Sequence, residues 1–499
     1  MESSFFDSSV FTLGPNELQA LFPLLWLCVG LVFSTLAAGF RLGIGFTRVL
    51  SFFVFVPFVG LLAIQLGNPP VAVMGTALEM NAFTRLVGCA VGILALLVST
   101  FVTPTRNGVL HPEWLAILVV QVLGLTLLPG ARDWVSFFVY LETLAITGYV
   151  MASLDTDREK SLEAGLKYLL TGAFGSGFFL MGAALFYGLT GTLDFELIAS
   201  ALKSVNSGPE KFMALSAAIL IISSLSFKLA LFPLHMWAPD VYQASPTAMA
   251  AMLSTATKIS VFGALAGIWT LTGFSNFPEL KQILIGLAGL SIVAGSLLAM
   301  AQKSLRRLFA YSGIVNAGFA ALALAAGPFA TGSMFAYLFI YSVSVVGIFA
   351  LLERFSTQLG LEPHGDLKIE NLPQIGRKFQ GIFVGIFAFF VFSIAGIPPL
   401  PGFFGKYLIL KDLWIGQEYF SAGLLILGTL LGLGFYLKIL VPLYMNQDEP
   451  TDEIPQNKRV AKLWPTALAT TLCVLAAIYA LGGLSRLPRW VETVEIFAR

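Results

Sequence analysis

Five charged residues stand inside stretches that are otherwise apolar: Glu142 (FFVYLETLAIT), Lys228 (LSFKLALF), Lys258 (LSTATKISVF), Lys406 (GFFGKYLIL) and Lys438 (GFYLKILV). On insertion scales each costs about 2.5–3.5 kcal/mol if left at the centre of a bilayer. Five such costs in one chain point to a use. The cations are all lysines. A lysine withdrawn from water gives up its proton more readily, and a neighbouring carboxylate strengthens its hold again. A proton relay requires a group of this kind, able both to take the proton and to release it. Arginine, protonated throughout, could not serve. Glu142 needs a cationic partner, and an inward-facing lysine is the natural one.

An inert explanation competes at each position. Lysines near helix ends extend to the interface without further role. For Lys438, a few residues from the end of its helix, that explanation weighs as much as function. Lys258 lies near the middle of its run beside Ser254, Thr255 and Thr257, as in a hydrated pocket. Lys228 and Lys406 adjoin proline-rich interruptions, where water and backbone dipoles gather. His235 (LFPLHMW) follows Lys228 by seven residues, and capping freed carbonyls competes there with relaying a proton. Lys167, four residues after Glu163, reads as a helix-surface pair. Asp240 and Tyr242 read as a cap or interfacial contact, and His111 and His364 as loop residues. The glycines of TGAFGSGFFLMG lie in a membrane span with no preceding strand, so close helix packing explains them better than nucleotide binding.

Helices must position these groups. Apolar residues make up 57% of the 499 and charged residues 11%, with a mean hydropathy of +0.84. Soluble globular chains hold about 45–50% and about 25%. A helix needs about 20 residues to cross the hydrocarbon. Fourteen spans of suitable length fall near 17–38, 46–66, 82–102, 112–129, 133–152, 163–189, 211–243, 246–271, 280–300, 307–328, 333–353, 379–415, 420–444 and 464–483. Basic residues gather in alternate loops: Arg41 and Arg48; Arg106; Arg158 and Lys160; Lys303, Arg306 and Arg307; Arg354, Lys368, Arg377 and Lys378; Lys458, Arg459 and Lys462. The positive-inside rule makes that side cytoplasmic and places both termini outside.

Two spans are too long and too rich in proline to be straight helices. One, SSLSFKLALFPLHMWAPDVYQASP, carries Pro233 and Pro239. The other, FSIAGIPPLPGFFGKYLIL, carries Pro398, Pro399 and Pro401. Proline removes a donor and clashes with the preceding turn, and in lipid the freed carbonyls need protein or water. The interruptions fall in spans seven and twelve, the signature of an inverted repeat around a transport path. The expected architecture is an all-α integral membrane protein with about fourteen transmembrane helices and two inverted five-helix repeats. Residues 1–110 carry helices one to three, 111–272 and 273–445 the repeats, and 446–499 a cytoplasmic loop and the last helix.

The formal charge of +1 gives no electrostatic case for nucleic acid. Cys28, Cys89 and Cys473 sit in apolar runs without metal spacing, so no iron–sulfur, haem or zinc ligand set can be assembled from this sequence. The first residues lack the basic region of a cleavable signal peptide.

The segment FKLALFPLHMWAPDVYQASPTAMAAMLSTATKISVF resembles the core of the proton-conducting membrane family shared by complex I and Mrp-type antiporters. The segment IAGIPPLPGFFGKYLIL is similar to that family's twelfth helix, and SLEAGLKYLLTGAFGSGF to its sixth. Within the family the likeness is to the N-type subunits of bacterial complex I and their chloroplast-type relatives, through the PLH-W-PDVY-SPT string and a lysine in the STATK position. The likeness covers most of residues 110–445. It implies that Glu142 pairs with Lys228, that Lys258 is the central relay, and that Lys406 leads to the far half-channel or the next subunit. It places His235 after the helix-seven break. It also implies a bacterial plasma-membrane location and partners among complex I membrane subunits, with antiporter-like M and K/J-type neighbours, and lipid. NADH, FMN, iron–sulfur clusters and quinone would then be held by partner subunits, with no cofactor in this chain. An Mrp-type cation/proton antiporter subunit and a non-pumping structural subunit are the alternatives.

Overall fold

The computed structural model describes residues 14–73, 75, 77–103, 113–205, 207–361, 365–379 and 381–445. The expected fourteenth span, together with His111, His364 and Cys473, lies outside them.

The chain opens with three helices, α1 (Pro15–Gly39), α2 (Ile44–Ile64) and α3 (Ala82–Thr100). Between α2 and α3 lies a small antiparallel hairpin, β1 (Val71–Val73) with β2 (Leu78–Met80). Then follow α4 (Trp114–Leu127), α5 (Trp134–Ala152), α6 (Glu159–Thr190) and a short amphipathic α7 (Phe195–Leu202). The first proline-rich span is broken into α8 (Gly208–Leu229) and α9 (Trp237–Ala244). The next is split too, into α10 (Thr247–Ser254) and α11 (Ala256–Leu271). After these come α12 (Pro278–Ala301), α13 (Leu305–Ala326), α14 (Thr331–Gln358) and the short α15 (Leu372–Lys378). The second broken span gives α16 (Ile382–Ala395) and α17 (Pro401–Ile415), and α18 (Tyr419–Met445) closes the described chain. Eleven helical segments among the described residues are long and apolar enough to cross a membrane.

Their surroundings sort them. The apolar window of α13 is 100% buried, whereas α1, α6, α12 and α18 bury 33–39% of theirs. The peripheral helices turn Phe22, Phe33, Phe174 and Leu430 outward. Water would not tolerate that much apolar surface, but lipid does. The buried helices instead carry small polar residues inward, and they form the wall of the site.

Both expected breaks are present. α8 stops where Ala230 turns left-handed, φ 56°, and α16 stops where Gly396 does, φ 86°. Glycine takes that conformation freely, while at Ala230 the Cβ costs roughly 1–2 kcal/mol. The interruption between α10 and α11 was not expected, because 246–271 reads as one unbroken span with no proline after its first residue, Pro246. It falls at Thr255 (φ −124°, ψ −76°), whose hydroxyl donates to the Ala251 carbonyl at 2.7 Å. Thr255 therefore breaks the helix three residues before Lys258.

Several loop assignments need correction. Arg306 and Arg354, read as loop residues, are buried, and so is Arg85 in the first turn of α3. Each lies near a helix end that folds inward, so its guanidinium finds partners inside. Arg85 donates to the Gln65 carbonyl at 2.9 Å and the Asn68 carbonyl at 2.7 Å. Arg306 pairs with Glu353 at 3.7 Å.

Candidate functional site

Glu142 is half-buried on α5 and accepts a hydrogen bond from Ser176 of α6. Ser176 reaches it because α5 and α6 lie close. At Gly172, one turn earlier, any side chain would strike Tyr149, and Gly175 and Gly182 pack on Phe227 and Ile221. The glycine cluster is a packing surface, as its sequence context implied.

Lys228, 2% exposed in the last turn of α8, does not touch Glu142 in this conformation. Its Nζ donates to the Tyr149 hydroxyl at 3.1 Å and lies 5.3 Å from that ring. Tyr149 is seven residues from Glu142 on α5, two turns along one face. The acid and the tyrosine thus share a face of α5, and the lysine of α8 bonds to the tyrosine. Tyr168 meets Tyr149 edge-on at 4.8 Å and stacks on Trp237 at 4.3 Å. Trp237 in turn donates to the Phe227 carbonyl at 2.9 Å, which ties α9 to the end of α8.

His235 occupies the break between α8 and α9, stacked on Phe232 at 5.0 Å and 6.1 Å from the ring of Tyr311 on α13. Two residues along α13, the Gly313 carbonyl accepts from Lys258. Lys258 is 2% exposed, with its Nζ 5.7 Å from the Tyr341 ring of α14. Ser312 bonds Tyr436 of α18, and Asn316 accepts from Tyr337 of α14. One turn further, Phe319 lies under the Lys406 Nζ at 4.9 Å. Lys406, 6% exposed on α17, donates to the Ala395 carbonyl at 3.0 Å, the last residue of α16. A carbonyl freed by the break is thereby satisfied by the lysine of the other half-helix.

α13 is therefore the spine of the site. Through Tyr311, Gly313 and Phe319 it meets His235, Lys258 and Lys406 in turn. His235, Lys258 and Lys406 stand out in the sequence, but the helix that joins them does not. Ser312, Asn316, Tyr149, Ser176, Tyr337 and Tyr341 were missed, because small polar and tyrosine residues in apolar runs are common in packed helices.

Lys438 stands apart from this line. Its Nζ donates to the Met300 and Gln302 carbonyls at 2.6 and 2.8 Å, where α12 ends. A cation at a helix C-terminus is stabilising in its own right. Lys167 pairs with Glu163 at 2.7 Å as expected, and also with Asp240 at 3.3 Å. Asp240 further binds Arg307.

The family described as NADH:quinone oxidoreductase/Mrp antiporter, transmembrane part, matches residues 131–432, which hold every member of this constellation except Tyr436. The chain belongs to this family. Among its relatives, the NADH-quinone oxidoreductase subunit N of Chloroflexus aggregans is 31% identical over 88% of this chain and 90% of its own length. The subunit of the same name from Hirschia baltica is 32% identical over 72% and 73%. A chain of the respiratory complex I of Thermus thermophilus, solved with bound aureothin, superposes with a TM-score of 0.75 at 29% identity, covering 93% of this chain and 98% of that one. Relatives and fold agree on a multi-pass membrane subunit of the proton-translocating kind, and the buried lysines lie within the matched region.

Proposed function

We propose that this chain is the N-type membrane subunit of a bacterial NADH:quinone oxidoreductase and carries protons outward from the cytoplasm through Glu142, Lys228, Lys258 and Lys406. The observation that carries this reading is the fully buried helix α13, which touches Lys258 at Gly313 and Lys406 at Phe319, six residues further along. Electron transfer takes place in partner subunits, which hold NADH, FMN, the iron–sulfur clusters and quinone. It reaches this chain as a change of conformation. When Glu142 moves away from Lys228, the lysine's proton is favoured to leave toward Lys258 and then Lys406. Tyr149, bonded to Lys228 and on the helix of Glu142, is the group through which such a movement is felt. His235 faces the same spine and stands in line as an intermediate.

The reading includes fourteen spans in two inverted five-helix repeats, spans four to eight and nine to thirteen. Both termini lie outside, and antiporter-like M and K/J-type subunits and lipid are the neighbours. The matched positions of the two breaks, each ending its first half in a left-handed residue, support the repeat. Reconstituting the complex with Lys258→Ala tests the relay. Protons pumped per electron should fall while assembly is kept. An unchanged ratio in a fully assembled complex would overturn it and favour a structural subunit. Purification without flavin or iron–sulfur partners would favour the antiporter.

A further inference from the structure

Asp412 lies six residues beyond Lys406 on α17, about 9 Å further along the helix. It is 3% exposed and takes no part in the relay described above. Two residues on, Trp414 is exposed and meets Tyr419 edge-on at 5.1 Å. Amphipathic rings gather where lipid meets water, so Asp412 sits just inside that level. This is the side on which Lys281, early in α12, pairs with Glu418 after α17. It is opposite to the side where Lys438 caps α12.

The wall facing this stretch is α14. Ser333, Tyr337 and Tyr341 stand four residues apart on it and share one face. All three are buried. Tyr341 lies by Lys258. Tyr337 packs against Gly405, the residue before Lys406, where an added Cβ would come within 3.0 Å of the ring. Ser333 faces Asp412. Neither the Tyr341 hydroxyl, the Ser333 hydroxyl nor Asp412 Oδ2 closes a hydrogen bond of good geometry with a protein group. Buried polar atoms are nearly always satisfied by protein or by water, and a carboxylate oxygen without a close partner is costly in an apolar wall. Two such atoms on the face of α14 and a third on α17 opposite Ser333, from the central lysine to the aromatic rim, mark a hydrated track with an acid at its end.

We propose that Asp412 is the release carboxylate of the relay, taking the proton from Lys406 and passing it to water on the side away from the basic loops. This rests on the relay reading above. In the step, the Lys406 ammonium gives one proton through intervening water to the Asp412 carboxylate, leaving a neutral amine and a carboxylic acid. The acid then yields that proton to outer water, and Lys406 is recharged from Lys258. No other bond forms or breaks.

The test uses the assembled complex in sealed vesicles and reads protons moved per NADH oxidised, for Asp412→Asn, Asp412→Glu and Lys406→Ala. Asp412→Asn and Lys406→Ala should lower the ratio to the same value, and Asp412→Glu should restore most of it. If Lys406→Ala lowers the ratio and Asp412→Asn does not, the release role is wrong and the relay stands. If neither lowers it, the relay reading itself falls. If Asp412→Asn acts alone, Asp412 is not fed by Lys406 and the proposal is overturned. Should Asp412→Asn fail to assemble, Asp412→Ser is read in the same way.

Discussion

The Lys258 ammonium donates to the main-chain carbonyl of Gly313, so the central cation of the site is held by backbone and not by an acid. The closeness depends on glycine, because a Cβ at position 313 would sit 2.8 Å from Nζ and 3.2 Å from the Tyr341 hydroxyl. Gly313→Ala should push Lys258 off its carbonyl at an overpacking cost of about 1–3 kcal/mol. Proton pumping per electron should drop while the complex still assembles. Wild-type pumping in Gly313→Ala would mean that the contact is dispensable.

Tyr149→Phe removes the only hydroxyl that Lys228 bonds among the described residues. A hydrogen bond to a charged group is worth about 1.5–3 kcal/mol. The variant should slow proton-coupled turnover by roughly tenfold or more, with assembly unchanged, while Tyr168→Phe, whose hydroxyl bonds no protein group, should change it little. Equal rates for the two variants would argue against a role for the Tyr149 hydroxyl.

Lys438→Met should leave the ratio of protons to electrons untouched. It should lower the melting temperature, since it removes two charge-assisted bonds at the end of α12, an effect of up to about 2 kcal/mol. A fall in pumping without a loss of stability would return Lys438 to the relay.

Glu353 is 1% exposed and accepts from Thr103 at 2.6 Å and from Thr247, which also binds Arg306. The ends of α3 and α14 and the starts of α10 and α13 meet at this point. Removing one partner of a buried ion pair costs about 3–5 kcal/mol. Arg306→Met should therefore reduce assembly sharply, as read by native gel and thermal melting, and a melting temperature unchanged from wild type would refute it.

The four residues of the proposed relay were legible because a charge inside an apolar run has few explanations. Helix positions were legible because the bilayer fixes their length. The break at Thr255 was not, since a threonine that bonds the preceding turn looks like any helical threonine. The burial of Arg306 and Arg354, read as loop residues, was not legible because they fall near helix ends, where sequence cannot tell an inward from an outward side chain. Charge alone asked for some lysine beside Glu142, and the family resemblance implied Lys228, yet in this conformation Lys228 bonds to Tyr149, two turns along α5 from the acid. Asp412, in a run ending KDLWIG, gave no sign of burial.

Left-handed Ala230 carries a consequence for this arrangement. Eight of the ten other positive-φ residues among those described are glycines, and Ala230→Gly would relieve its strain. The residue follows Lys228 by two positions, so strain stored in the joint bears directly on where that ammonium points. If the end of α8 moves as the proposed relay requires, a joint already strained in this conformation lowers the cost of leaving it.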